Sequence, residues 1–279
     1  AIIVVSLYGL PCDMEAINAI ASERGIPVIE DNAQCFLSTY KGKPLGAFSD
    51  ISSWSFENSK HMSCGEGGII TTDNEEYAAL ARKVAGHGYS SLGAEYGRVK
   101  LNQSVYQDPE YKRHSLLGWN YRLNEFSAAV ALAQLETLEG KVSRRKMIAH
   151  RFLEEVSKCD FLQLVPDDRE HSYFTLGLVF SGEEERGISW KTFREKYIEF
   201  GGDGFYSAWS VPYLEPIITE KMYRKRCPSI YNTVEYERGL CPVAESLQPR
   251  LIQLKTNYRD LKLASQKAAA LRSAIQYFN

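Results

Sequence analysis

The sequence predicts an α/β protein, and three observations support that fold class. Strand and helix signals alternate along the first quarter of the chain. Two of the early strands are joined by a single helix, which forms a right-handed crossover and implies a parallel sheet. Hydrophobic residues make up 44% and charged residues 24% of the 279, a globular composition that argues against a disordered tail, a collagen-like rod or a coiled coil. The length allows about two domains.

The first strand-helix-strand unit can be located residue by residue. Ile2–Leu7 is an apolar run that predicts a buried strand. Asp13 is placed to cap a helix that runs to Arg24, and Pro27–Glu30 predicts a second, short buried strand. Because the chain opens on Ala1 within a strand signal, we expect that further residues precede it.

Two more strands and a helix follow in the same pattern. Ile51–Phe56 and Gly67–Thr72 predict strands. Asp73, with Glu76 three residues later, has the spacing of a capping box and predicts a helix that runs to about Ala85.

From His87 to Trp119 the periodicity disappears in a polar stretch, which predicts a long functional or disordered loop. Asn124 is then placed to cap a helix. That helix carries one apolar stripe, formed by Phe126, Ala129, Val130 and Ala133. A second helix, from about Lys141 to Lys158, is also amphipathic and places on one face Ile148, Phe152 and Val156.

The remaining chain predicts a smaller α+β domain. The pattern predicts a strand at His171–Ser181 and helices at Ser189–Phe200 and Tyr258–Phe278. We place the domain boundary in the helix between Gly140 and Cys159, so that residues 1–140 form the larger domain and residues 141–279 a linking helix and the smaller domain.

Several functional classes are disfavoured by composition. The net charge of −2 provides no bulk attraction to nucleic acid or acidic lipid, so we expect a small-molecule partner. No apolar run approaches the length of a membrane span, and no basic segment precedes the opening strand as in a secretory signal. The histidines show no metal-ligand spacing, so no metal is expected. The six cysteines are scattered, as reduced thiols of a cytoplasmic protein are: Cys12, Cys35, Cys64, Cys159, Cys227 and Cys241.

Chemistry-bearing side chains follow two of the predicted strands, where α/β proteins place function. Asp31 follows the second strand; Ser55 and Lys60 come at the end of the third. Taken singly, Asp31 could be a helix cap or a solvated acid, and Lys60 a surface lysine. The nearby turn Gly65–Gly68 lacks the spacing of a dinucleotide or phosphate loop. Together, an acid, a hydroxyl and a lysine are what pyridoxal phosphate (PLP) chemistry needs.

At these residues the chain resembles the DegT/StrS family of PLP-dependent sugar aminotransferases of fold type I. The resemblance extends over essentially the whole chain and implies a three-layer α/β/α large domain. It also implies an N-terminal segment, absent here, that contributes to holding the cofactor. The similar stretches are Val4–Ile17, Val28–Gln34, Tyr40–Asp73, Leu117–Glu136 and Cys241–Leu247.

The resemblance assigns roles to five residues. Lys60 would be the Schiff-base residue and the proton shuttle, and Asp31 would pair with the pyridinium nitrogen. Gln34 would lie near the ring oxygen and Ser55 would bind the phosphate. Asn120 would reach the phosphate of a neighbouring subunit, which implies a homodimer with a composite active site.

Some positions stay open on the sequence alone. Tyr121 and Arg122 could contact substrate or pack at the interface. Ser6 stands where many members have a histidine, which removes one substrate-side contact. Related dehydratases have histidine in place of Lys60, so the lysine favours transamination, and His61 is expected to be a structural or supporting residue.

The resulting functional hypothesis is an aminotransferase of sugar or polysaccharide biosynthesis. It would move an amino group, from L-glutamate, by way of pyridoxamine phosphate to a keto or aldehyde sugar. The acceptor could be a nucleotide sugar, an aminocyclitol precursor or a sugar of the 8-oxo-octulosonate type. The alternatives are a PLP-binding sensor or regulator without turnover, and a dehydratase that uses pyridoxamine phosphate.

The sequence allows two interpretations of the role of the loop from His87 to Trp119. It could cover the acceptor and bind its anionic group, or it could be a solvated basic loop. The residues in question are Arg98, Lys100, Lys112 and Arg113.

Overall fold

The structure is a computed structural model that describes residues 1–95, 101–164, 169–225 and 235–279. Those residues divide into two compact units. The first comprises Ala1–Arg144 with Arg169–Phe174, and the second is formed from Arg145–Asp168 and Thr175–Asn279. The α/β class predicted from the sequence is confirmed in the first unit, which contains a mixed four-stranded sheet with helices.

The sheet of the first unit has the strand order β1-β2-β5-β6. Its strands are β1 (Ile2–Val5), β2 (Val28–Asp31), β5 (Ile51–Ser55) and β6 (Gly68–Thr71). Strands β1, β2 and β5 are parallel, as the crossover argument predicts, whereas β6 pairs with β5 in the antiparallel direction. A separate two-stranded ribbon lies between β2 and β5 in the chain, formed by β3 (Thr39–Tyr40) and β4 (Lys43–Pro44).

Local capping chemistry explains where the helices of this unit begin. Helix α1 (Met14–Arg24) starts after Asp13, whose carboxylate accepts from the Ala16 N–H, and it ends at Gly25 in the left-handed conformation. The other helices of the unit are α2 (Glu75–Ala85), α3 (Gln103–Gln107) and α4 (Glu125–Leu135).

The predicted capping box at Asp73 is wrong by one residue. The N-cap of α2 is Asn74, whose side chain accepts from the N–H groups of Glu76 and Tyr77. Asparagine and aspartate cap equally well, so the sequence alone did not separate the two neighbours. At α4 the predicted cap is confirmed, since Asn124 accepts from the Ser127 N–H.

The apolar stripe of α4 lies at the surface of the described chain. Phe126 is 88% exposed and Val130 48% exposed, and Ala129 and Ala133 are exposed as well. Ala131, on the other side of the helix, is the residue that packs into the core with Phe56 and Leu138.

The second unit combines helices with a three-stranded sheet. Helix α5 (Leu138–Val156) begins in the first unit and buries Ile148, Phe152 and Val156, as predicted. The sheet has the order β7-β8-β9, and the strands are β7 (Leu162–Gln163), β8 (Thr175–Phe180) and β9 (Leu251–Lys255). The other helices are α6 (Gly182–Arg186), α7 (Trp190–Glu199), α8 (Pro216–Thr219), α9 (Pro242–Leu247) and α10 (Leu261–Phe278).

The findings on membrane spans and cysteines concern the same described ranges. There, none of the helices combines the length and apolar composition that crossing a bilayer requires. Five cysteines are free thiols, and Cys227 lies outside the described residues. Burial raises the pKa of the Cys35 thiol to about 12.

Candidate active site

The carboxyl ends of the parallel strands bring two predicted site residues to one edge of the sheet. Asp31 ends β2 and Ser55 ends β5. The register pairs Asp31 with Val5 on one side and with Ser53 on the other. Because side chains alternate along a strand, Asp31, Ser53 and Ser55 share one face of the sheet. Lys60 follows in the turn after β5, so the three predicted residues come from adjacent segments.

Asp31 is half-buried, and its carboxylate is only partly engaged. Oδ1 accepts from the Ala33 N–H at 3.0 Å. Among the residues that the structure describes, no Lys, Arg or His pairs with this carboxylate. Asp31 is therefore available to a cationic N–H of a ligand.

Lys60 lies against an aromatic ring. Its Nζ is 5.2 Å from the centroid of the Phe174 ring. Its backbone N–H donates to the Glu57 carbonyl at 3.1 Å. In the described ranges no carboxylate pairs with Nζ, which leaves the amine available for a reacting carbon.

The turn before Lys60 is shaped by Glu57. The Ser59 hydroxyl and N–H donate to its Oε2 at 2.6 and 2.9 Å, and these hydrogen bonds lower the pKa of the Glu57 carboxyl. The Ser55 Oγ accepts from the Glu57 N–H at 3.2 Å. An oxygen that accepts in this way keeps its own O–H to donate, for example to a phosphate oxygen.

His61 is a buried packing residue beside Lys60. Its ring centroid is 5.7 Å from that of Phe36 and 5.8 Å from that of Phe174, and its Nε2 is 3.2 Å from the Ser172 carbonyl. These contacts fix the backbone that carries Lys60 to the segment that carries Phe174.

Gly9 allows that segment to approach the turn after β1. Gly9 has φ +98°, and a Cβ there would lie 2.8 Å from the backbone nitrogens of both Tyr173 and Phe174. The Gly9 carbonyl accepts from the Ser172 N–H at 2.9 Å. Only glycine permits this close approach without moving the backbone.

The same turn orients Gln34. The Tyr8 N–H donates to Gln34 Oε1 at 2.9 Å, and Tyr8 itself has φ +62°. Burial raises the pKa of the Tyr8 phenol, as it does for Tyr173. Ser6 is fully buried and its N–H donates to the Asp31 carbonyl at 3.1 Å, so its backbone supports the end of β2.

Asn120 has its own set of hydrogen-bond partners. It is exposed, it forms a bridge with Gly86, and its Oδ1 accepts from Arg122 Nε at 2.9 Å. In the part of the chain that the structure describes, no hydrogen bond or ion pair joins it to Asp31, Ser55 or Lys60.

The residues beside Asn120 are also at the surface. Tyr121 is 68% exposed and stacks on Trp119, with the ring centroids 6.1 Å apart. Within the loop from 87 to 119, Lys112 and Arg113 are exposed, and Arg98 and Lys100 lie outside the described residues.

Two residues of the site were not singled out by the sequence. Phe174 belongs to a segment far from Lys60 in the chain, so only the fold brings them together. Glu30 is fully buried and accepts from the Gly46 N–H at 2.8 Å and from Asn32 Nδ2 at 2.9 Å. The sequence signal for the burial of Glu30 was its position one residue before Asp31. Side chains alternate along a strand, so the two carboxylates lie on opposite faces of the sheet.

Comparison with known proteins assigns the chain to a family. The sequence model of the DegT/DnrJ/EryC1/StrS aminotransferase family matches residues 1–269. This chain belongs to that family. The predicted resemblance is thereby confirmed.

Named relatives of this DegT/DnrJ/EryC1/StrS chain include two sugar-nucleotide enzymes. GDP-perosamine synthase of Escherichia coli O157:H7 is 31% identical over 254 residues, which cover 91% of this chain and 59% of the synthase. UDP-2-acetamido-2-deoxy-3-oxo-D-glucuronate aminotransferase of Pseudomonas aeruginosa PAO1 is 41% identical over 153 residues, which cover 54% of this chain and 37% of that protein. The chain therefore spans less than two thirds of either relative.

A solved structure confirms the fold of this family member. The aminotransferase from Psychrobacter cryohalolentis matches with a TM-score of 0.79 at 25% identity. The match covers 99% of this chain and 68% of the other.

Proposed function

We propose that the protein is a PLP-dependent aminotransferase that transfers the amino group of L-glutamate to a keto or aldehyde sugar in the cytoplasm. The observation that carries the proposal is the edge of the sheet where Asp31 and Ser55 end adjacent strands and Lys60 follows. Family membership supports it independently.

The side chains at this edge fit the cofactor in chemical type. PLP presents an aldehyde, a ring nitrogen and a phosphate, and an amine, a carboxylate and a hydroxyl are their complements. In the described residues, Lys60 Nζ has no carboxylate partner and Asp31 has no cationic partner. In the described chain, both groups therefore keep a charge that a ligand can pair with.

Each residue has a distinct task in the proposed reaction. When bound, PLP supplies an electron-withdrawing ring that stabilises negative charge at the substrate carbon. Asp31 would hold the proton on the ring nitrogen, because a nearby carboxylate favours the cationic form. Lys60 Nζ would hold the cofactor through its aldehyde carbon and would move a proton to and from the substrate carbon. Ser55 Oγ would donate to the phosphate, and Gln34 would interact with the ring oxygen.

The acceptor is proposed at the level of class. A nucleotide sugar, an aminocyclitol precursor and a sugar of the 8-oxo-octulosonate type all present a carbonyl carbon that can be aminated. The names of the two relatives, one acting on a GDP sugar and one on a UDP sugar, favour the nucleotide sugar among these.

The protein is further proposed to be a homodimer in which Asn120 completes the site of the partner. Asn120 is exposed, and in the described part of its own chain no hydrogen bond or ion pair joins it to Asp31, Ser55 or Lys60. The exposed stripe of α4, with Phe126 at its centre, follows directly in sequence. An exposed apolar surface of this kind supports a second copy as its cover.

The proposed function can be tested by measuring whether PLP becomes covalently attached to Lys60. The protein mixed with PLP should develop a visible absorption band, and reduction with borohydride should fix the cofactor mass on the peptide that contains Lys60. In a separate sample that has not been reduced, glutamate alone should yield 2-oxoglutarate in an amount equal to the bound cofactor. Lys60→Ala should abolish all three results, whereas the exposed control Lys43→Ala should retain them.

The same assay separates the alternatives. A PLP-binding regulator would show the absorption band and release no 2-oxoglutarate. With a keto sugar added to the assay, a dehydratase would consume the sugar without transferring nitrogen to it. Wild-type release of 2-oxoglutarate by Lys60→Ala would overturn the assignment of this residue.

A further inference from the structure

A cavity in the first unit is lined by basic and aromatic side chains and by none of the predicted cofactor residues. Its volume is about 470 Å³, which is within the range of small-molecule sites. The walls come from the end of α2, from α3 and the segments on both sides of it, and from the residues before α4. The side chains that define it are Arg82, Arg113, Arg122, Tyr89, Tyr106 and Tyr111.

Each of the three arginines is oriented by a neutral acceptor. Arg82 Nη1 donates to the Gly93 carbonyl at 3.0 Å, and Arg113 Nη2 donates to the Tyr106 carbonyl at 3.1 Å. Arg122 donates from Nε to Asn120 and from Nη2 to His87 Nε2, at 2.9 and 3.1 Å. The guanidinium groups are thus positioned without having their charge neutralised.

Within the described residues, this charge has no acidic partner. The lining residues include neither Asp nor Glu, and in the described ranges none of the three arginines forms an ion pair. Each guanidinium uses one or two of its five N–H groups in the contacts above, so donors remain for a ligand. Three cations around one cavity repel each other, and an anion between them relieves that repulsion.

The tyrosines provide flat apolar surfaces beside the arginines. Tyr106 and Tyr111 pack edge to face with their centroids 6.0 Å apart, and Tyr89 stacks on His114 at 5.0 Å. Aromatic faces of this kind suit the ring of an organic ligand, so the cavity is matched to an anionic group with a ring attached rather than to an inorganic ion alone.

We propose that this cavity binds the oxyanion of the acceptor, a phosphate or carboxylate attached to a sugar, through Arg82, Arg113 and Arg122. The fork of a guanidinium matches the paired oxygens of either group. The identity of the ligand as acceptor rests on the proposed aminotransferase function; the oxyanion site itself does not. Compared with the sequence prediction for the 87 to 119 loop, the cavity includes Arg113, excludes Lys112, and adds two arginines from outside the loop.

Binding is measured by calorimetry on the protein without PLP or glutamate. The two probes are UDP, which carries a diphosphate, and 3-deoxy-D-manno-octulosonate, which carries a carboxylate. Arg82→Gln, Arg113→Gln and Arg122→Gln should each raise the Kd of the bound probe by about tenfold or more, because a charge-assisted hydrogen bond is lost. Lys112→Gln is the matched control, since it removes a charge next to Arg113 but not from the cavity, and its Kd should stay at the wild-type value.

The outcomes separate the sources of the anion. Binding of UDP alone identifies a phosphate ligand, and binding of the sugar acid alone identifies a carboxylate ligand. If neither probe binds, or if the arginine variants weaken binding no more than Lys112→Gln, the inference is overturned. Arg113→Lys keeps the positive charge but loses the forked guanidinium, so this variant should bind the probe more weakly than wild type. It provides the test if a glutamine variant fails to fold.

Failure here and failure of the proposed function can be told apart. Lys60→Ala should bind the probe like wild type, because Lys60 does not line the cavity. If the probe binds but glutamate is not converted, the oxyanion site is supported and the aminotransferase function is contradicted. If glutamate is converted but the probe does not bind, the aminotransferase function is supported and the oxyanion site is contradicted.

Discussion

Glu30 and Asp31 are adjacent carboxylates with opposite environments. Glu30 is fully buried, and it accepts from the Gly46 and Phe48 N–H groups at 2.8 and 3.3 Å and from the Asn32 amide. Asp31 is half-buried at the edge of the sheet, with a single backbone donor. The pleat of one strand therefore directs one acid to the loop after β4 and leaves the other at the edge of the sheet.

Replacing Glu30 by Gln should destabilise the fold without touching the ligand-binding face. The glutamine has one acceptor oxygen where the carboxylate has two, so one buried N–H would face an NH₂ group and lose its partner. We expect a loss of about 1 to 3 kcal/mol in the free energy of unfolding, measured by urea denaturation. Glu23→Gln, at an exposed position on α1, is the control and should unfold like wild type. Equal stability of the two variants would contradict the structural role of Glu30.

The site residues divide into those that sequence could predict and those that it could not. Asp31, Ser55 and Lys60 were predictable because strand ends can be located from local patterns and parallel strands share an edge. Phe174 was not, because its contact with Lys60 joins segments far apart in the chain through the close approach at Gly9. The structural role of Glu30 was not predicted, because the sequence alone does not distinguish a buried glutamate from a solvated one.

Among whole elements, the boundaries set by local chemistry were predictable. Asp13 and Asn124 cap α1 and α4 through bonds to residues three positions away, and such contacts can be read along the chain. The antiparallel direction of β6 was not predicted, because it depends on how the turn after Lys60 returns to the sheet. The exposure of the Phe126 stripe was not predicted either, since periodicity shows that a face is apolar and not what covers it.

Helices α5 and α10 of the second unit are joined by a buried acid. Glu155 on α5 is nearly inaccessible and accepts two hydrogen bonds from Arg272 on α10, one of them from Nε at 2.8 Å. Those hydrogen bonds hold the pKa of Glu155 below its ordinary value. Because the unfolded-state pKa of about 4.3 is the higher one, the pair stabilises the fold above that pH, and its contribution is lost as the pH falls through the folded-state pKa.

Glu155→Gln should therefore flatten the acid side of the stability profile. Between neutral pH and about pH 3, the free energy of unfolding should fall less in the variant than in wild type, because the titrating group is gone. Thermal and urea unfolding across that range measure the difference. Glu154→Gln, an exposed neighbour on the same helix, should retain the wild-type slope. A variant profile parallel to wild type would show that Glu155 does not govern acid stability.

At the scale of the whole molecule, two apolar surfaces of the first unit are exposed. The stripe of α4 is exposed, and on the edge strand β6 both Ile69 and Ile70 are about half exposed. Contiguous exposed apolar surface is typical of a face that another chain or segment covers. A symmetric partner that covers α4 would also bring its Asn120, only a few residues before that helix, into the same interface.

The composite site can be tested by mixing two inactive variants. Lys60→Ala lacks the reacting amine, and Asn120→Ala lacks the group proposed to reach the partner's phosphate. If Asn120 acts across the dimer, a mixed dimer carries both defects in one site and neither in the other. Unfolding and refolding an equal mixture should then restore about a quarter of wild-type transaminase activity, since half of the dimers are mixed and each has one intact site.

The control for this experiment uses the α4 surface. Placing Phe126→Asp in both chains buries a charge in the proposed interface, so the dimer Kd should rise at least about a hundredfold and activity should not return. Light scattering reports the dissociation directly. Recovery in mixtures that carry Phe126→Asp would place the interface elsewhere. Absence of recovery from the original pair, with mixed dimers demonstrated by differential tagging, would mean that Asn120 serves its own chain, because a site built within one subunit cannot be complemented by another.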